Sequence, residues 1–118
     1  MSAMPNQTEV PVFDLNQLRN VCMEDQELMR EVVTALIDDA TLQIPALRDA
    51  VEHADATGAA RLAHYVKGAC ANVGAASMVV LLKSIESSAI AGNFTACRTS
   101  LANLSAELQK FSFEAASF

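Results

Sequence analysis

The sequence predicts an all-α protein: an up-and-down antiparallel four-helix bundle with a short extra N-terminal helix. Three observations point there. The composition is 52% hydrophobic but only 5% aromatic, with no Trp, which suits helices packed on small and straight-chain side chains better than a sheet. Apolar residues recur at three- and four-residue steps over most of the chain. The breaks between these periodic runs are only a few residues long, which makes successive helices antiparallel neighbours.

A chain of 118 residues is one domain with room for a real core. Residues 1–12 hold two prolines and mostly polar side chains, and read as a flexible tail. In the first helix Asp14 can cap, Gln17 can complete a capping box, and Phe13 can staple onto Leu18; the helix ends near Cys22. A second helix starts at Asp25 and carries the strongest apolar period, Leu28, Val32, Val33, Leu36, Ile37, Ala40, Ile44, Leu47 and Val51. Pro45 falls inside it. Proline costs about 3 kcal/mol in a helix interior, so a kink at residues 41–45 or two abutting helices is expected there. Asp55 caps a third helix that runs to about Asn72 and is broken by Gly74. The fourth covers roughly residues 76–91, with Val79, Leu82, Ile85 and Ala89 on one face. Gly92 and Asn93 make a break and a cap, and the fifth runs from Phe94 to about Phe111. The bundle thus spans residues 13–112, and residues 113–118 form a C-terminal tail.

A net charge of −6 disfavours nucleic acid and anionic membranes as partners. No segment is long and apolar enough to cross a bilayer. The first residues lack the basic and apolar regions of a signal peptide. Cys22, Cys70 and Cys97 show no paired spacing, which argues against a disulfide framework or a zinc site and suits a reducing cytoplasm. Di-iron bundles need Glu three residues before each ligand His. The positions before His53 and His64 hold Ala50 and Arg61, so no metal site is expected.

On a helical wheel, Leu62, Val66, Ala69 and Val73 form the expected core stripe of the third helix, and His64 lies nearly opposite. Lys67, Gly68 and Ala71 share its face, three, four and seven positions on. The histidine is therefore displayed rather than packed. Gly68, mid-helix at a cost of roughly 1 kcal/mol against Ala, opens space beside it. Lys67 favours the neutral ring, whose lone pair is nucleophilic, and can offset the charge of an arriving phosphoryl group. The surface around Ala60, His64, Gly68 and Ala71 is expected to receive a partner. Tyr65, to one side, can shape which partner docks.

The segment from Leu62 to Ala75 resembles the signature of histidine phosphotransfer (HPt) domains, roughly A-H-x-L-K-G followed by G-A. Ala63, His64, Lys67, Gly68, Gly74 and Ala75 match, and Val66 stands for a leucine. Asp55, the Ile85–Glu86 pair and the Gly92-Asn93-Phe94 turn into the last helix also fit. Ala69 and Cys70 stand where family members often carry small hydroxyl residues. The resemblance implies that His64 accepts a phosphoryl group from a receiver-domain phospho-aspartate and passes it to another receiver. By resemblance Lys67 holds the group and Gly68 gives clearance. The partners implied are receiver domains of hybrid sensor kinases and response regulators. There is no intrinsic cofactor, because the Mg²⁺ for transfer belongs to the receiver. The chain lacks the length and glycine-rich boxes of an ATP-binding kinase domain, so it is expected to be a monomeric, cytoplasmic phosphoryl carrier without kinase activity of its own. The rival reading is an adaptor that binds a receiver or kinase without stable phosphorylation.

Overall fold

A computed structural model describes residues 11–116. Five helices follow one another: α1 (Leu15–Val21), α2 (Gln26–Glu52), α3 (Ala56–Val73), α4 (Ala76–Ile90) and α5 (Phe94–Ala115). The four long helices form the bundle, and α1 lies against α3 and α2.

The first four helices stop in the same way. In each, two successive amides fold back onto the last turn: Glu24 onto Arg19 and Met23 onto Asn20, Asp55 onto Ala50 and Ala54 onto Val51, Ala75 onto Cys70 and Gly74 onto Ala71, Asn93 onto Ser88 and Gly92 onto Ala89. This is the Schellman pattern, which satisfies carbonyls that have no partner within the helix. It needs a residue at positive φ. Gly74 and Gly92 supply it freely, while Met23 and Ala54 adopt it as non-glycine residues at about 1 kcal/mol each. Side chains then start the next helix: Asp25 accepts from the Leu28 amide, Asp55 from Gly58 and Asn93 from Ala96. Asp14 does the same for α1, accepting from the Gln17 amide.

Three expectations are corrected here. Gln17 does not close a capping box; its side-chain amide donates to the Ala71 carbonyl and ties α1 to α3. Phe13 packs against the core that includes Leu18, and also on the ring of Phe111 across the bundle, centroids 4.8 Å apart. Of the two alternatives at Pro45, two abutting helices are ruled out: a single helix runs through it. Pro45 is exposed, so the Thr41 carbonyl it leaves unpaired is on the solvent side, and buried Ile44 and Leu47 anchor the helix on either side. The last helix continues to Ala115, so residues 113–115 are helical rather than tail. At the other end, residues 1–10 of the expected tail lie outside the described residues. Residues 11 and 12 are held, because Pro11 O accepts from the Ser77 amide and Val12 packs on the core.

The core gathers Leu18 of α1, Val33, Leu36, Ile44, Leu47 and Val51 of α2, Met78, Leu82 and Ile85 of α4, and Leu101, Leu104 and Phe111 of α5. Helix α3 contributes Ala59, Ala63, Val66, Cys70 and Val73. That stripe is rotated by about 50° from the expected one, and Leu62 and Ala69 are only half-buried at its edge. The small residues Ala59 and Ala63 let neighbouring helices approach α3 closely, and α3 and α4 share the most extensive interface in the bundle. Among the described residues no helix is long and apolar enough to cross a membrane.

Candidate functional site

The rotation of α3 decides where His64 points. Its side chain is 70% exposed, as the sequence predicts, but it leans toward α4 rather than standing straight out from the core. There His64 Nδ1 lies 2.9 Å from Glu86 Oε2. The other oxygen, Oε1, accepts from Lys67 Nζ at 2.7 Å. Glu86 therefore bridges the histidine and the lysine, one oxygen to each.

The charge on Glu86 fixes which way the protons lie. The Lys67 ammonium, aided by the His64 contact and opposed by burial, holds the Glu86 carboxyl below the ordinary carboxylate range. An ionised carboxylate only accepts hydrogen bonds. The shared hydrogen must then sit on His64 Nδ1. In the neutral ring this leaves Nε2 without a proton, its lone pair facing solvent.

Lys67 reaches the histidine through a shared acceptor rather than by direct contact. Its side chain is only 25% exposed, and its partner carries the opposite charge. Side chains on a helix lean toward its N-terminus, which is why Lys67 reaches back to the level of His64 and shares its acceptor.

Gly68 is exposed on α3, and a Cβ built on it meets no atom within 4 Å. The helix needs no glycine there for packing. Gly68→Ala is therefore expected to stabilise the fold by up to about 1 kcal/mol, read from thermal or denaturant unfolding. On the HPt resemblance, a bulky side chain at the same place would fill the space through which a partner is expected to approach His64. Gly68→Leu is expected to keep the fold and slow phosphoryl transfer roughly tenfold to a hundredfold. Transfer at the wild-type rate in Gly68→Leu would contradict the clearance argument.

The remaining candidates spread over α3. Ala71 is exposed on the His64 face, and its carbonyl carries the Gln17 tie from α1. Ala60 is half-buried and packs on the core, so it offers a partner less surface than expected. Tyr65 is 55% exposed and lies on the other flank, beside α2, where a hydrogen bond to Asp39, then the Asp39 charge, raises its phenol pKa. Asp39 also lines a groove between α2 and α3 with Val32, Ala35, Ala69 and Asn72. Among the described residues no group of three or more His, Cys, Asp or Glu converges as a metal site would require.

Glu86 is the site residue that sequence reasoning did not place. Its partners are 22 and 19 positions away, beyond any local pattern, although the Ile85–Glu86 pair fits the HPt resemblance.

The Hpt domain family model matches residues 31–112, a span that contains His64, Lys67, Gly68 and Glu86. Among solved structures, the chain is similar to histidine-containing phosphotransfer protein B (HptB) from Pseudomonas aeruginosa PAO1. The TM-score is 0.81 at 20% identity, over 92% of this chain and 97% of that one; at that identity the likeness is one of fold. A search of curated proteins returns no match.

Proposed function

This chain belongs to the Hpt domain family of two-component signalling, and from that premise we propose that it is the phosphoryl carrier of a phosphorelay in the cytoplasm, with His64 as the residue phosphorylated. The observation that carries the reading is the exposed imidazole whose Nδ1 hydrogen is held by an ionised carboxylate, so that Nε2 is bare.

In the proposed step the Nε2 lone pair attacks phosphorus of a receiver's aspartyl phosphate. The Nε2–P bond forms as the bond from phosphorus to the aspartyl oxygen breaks, and the aspartate leaves as carboxylate. No proton departs from Nε2, so the domain needs no general base. The ring keeps its Nδ1 hydrogen and gains positive charge, which Glu86 offsets through the same hydrogen bond. Return transfer to a second receiver reverses the step. The domain's share is positioning and electrostatics, and a rigid helix is well suited to hold the nucleophile. Mg²⁺, where transfer requires it, would be held by the receiver's residues and would supply positive charge to offset the phosphoryl oxygens. Receiver domains of a hybrid sensor kinase and of a response regulator are the proposed donor and acceptor, and the carrier works as a monomer.

The direct test mixes the purified domain with a phosphorylated receiver and Mg²⁺. Acid-labile, base-stable label on the domain is the expected result. A domain that binds the receiver but takes no label, across several receivers, is an adaptor instead.

Glu86→Ala probes the tautomer argument. Without the carboxylate the Nδ1 hydrogen is no longer held and Lys67 loses its tether. One charge-assisted hydrogen bond of about 1.5 kcal/mol corresponds to a roughly tenfold slower transfer. In the wild type the carboxyl pKa is depressed on folding, so its contribution is complete above the ordinary carboxylate range. It is lost only as pH falls through the lowered value. Transfer in Glu86→Ala at the wild-type rate would show that His64 needs no orienting partner.

A further inference from the structure

A phosphoryl group on Nε2 brings close to two negative charges. Lys67, the nearest cation, already shares its charge with Glu86, so the pair offers the group little net positive charge. The register between α3 and α4 identifies a second source. Because the two helices are joined by a two-residue turn and run antiparallel, one turn back from Glu86 lies level with one turn on from His64. The residue one turn back is Lys83, three positions before Glu86 and on the same flank of α4. Lys83 is exposed and forms no hydrogen bond or ion pair with any described residue. By the same register Gly68 stands at this level of α3, and a Cβ added to it meets no atom within 4 Å.

We infer that Lys83 is a second phosphoryl-binding cation, whose ammonium crosses the clearing over Gly68 to the oxygens of the group on His64. This deepens the phosphotransfer reading and rests on it. It also gives Gly68 a second use, since the clearing admits the lysine as well as the partner. Arg61 is the natural control. It is also exposed and sits three residues before His64, on the opposite side of it along α3 from Gly68.

The experiment measures how phosphoryl label partitions at equilibrium between a receiver charged with acetyl phosphate and the wild-type domain, Lys83→Met, Lys83→Arg or Arg61→Ala. Partition toward Lys83→Met is expected to fall about fivefold, as for loss of one charge-assisted contact at a solvated site. Lys83→Arg and Arg61→Ala are expected to stay within about twofold of the wild type. A wild-type partition in Lys83→Met overturns the assignment. So does an equal fall in Arg61→Ala, which marks a general effect of surface charge. If the wild type itself takes no label, phosphotransfer fails and the Lys83 assignment fails with it.

Discussion

Replacing His64 by glutamine is expected to abolish phosphoryl uptake while leaving the fold unchanged. Glutamine is close in size and can still donate to Glu86 through its amide, but amide nitrogen has no lone pair free to attack phosphorus. With a side chain 70% exposed and outside the core, the substitution should move stability by no more than about 0.5 kcal/mol. Circular dichroism and thermal unfolding check the fold, and the label assay checks transfer. The chain has only two histidines, so phosphohistidine surviving in His64→Gln has to sit on His53. The surroundings of His53 argue against it. Its Nδ1 lies 2.8 Å from the Asp49 carbonyl. That backbone hydrogen bond first, and then the charges of Asp49 and Glu52, raise its pKa. The same carboxylates repel a phosphoryl dianion, and among the described residues no lysine is hydrogen-bonded or paired to the ring. If His64→Gln still binds a receiver but takes no label, docking and chemistry are separate.

The displayed histidine, the lysine one turn on and the glycine after it are legible in the sequence, because all three lie on one helix and helical spacing relates them. The caps are legible for the same reason: Asp14, Asp25, Asp55 and Asn93 each act within three residues. What local pattern does not contain is the partner across a helix interface. Glu86 and Lys83 become site residues only through the register of α4 on α3. The rotation of α3 was hidden too. Apolar periodicity gives weight to Leu62, whereas the helix is buried along Ala59 and Ala63, residues whose small size rather than hydrophobicity earns them the contact. Pro45 misleads for a related reason. Its cost is local, while the packing of Ile44 and Leu47 that outweighs it is not.

Gly74 is where a sequence signature and its physical cause come apart, and it carries the largest expected loss of stability. The HPt pattern includes this glycine, but the reason lies 60 positions upstream. Gly74 has φ of +79°, and a Cβ added to it stands 2.5 Å from the backbone oxygen of Asp14. The two residues are also joined directly, with the Asp14 amide donating to Gly74 O at 2.6 Å. The strand of chain leading into α1 therefore cannot back away without breaking a buried hydrogen bond. Gly74→Ala should combine the left-handed backbone penalty, about 1 kcal/mol, with this clash, for a total of about 2–4 kcal/mol. That lowers the melting temperature by roughly 10 °C. Gly92 separates the two contributions. It has nearly the same φ, +76°, but open space around its missing Cβ, so Gly92→Ala should lose only the backbone part. Equal losses at the two positions would mean that the α1 junction yields without cost. If the expected gap appears, Gly74→Ala should also loosen the Gln17 tie to Ala71 on the face proposed for receiver docking. Transfer in that variant should then weaken at temperatures where the bundle is still folded.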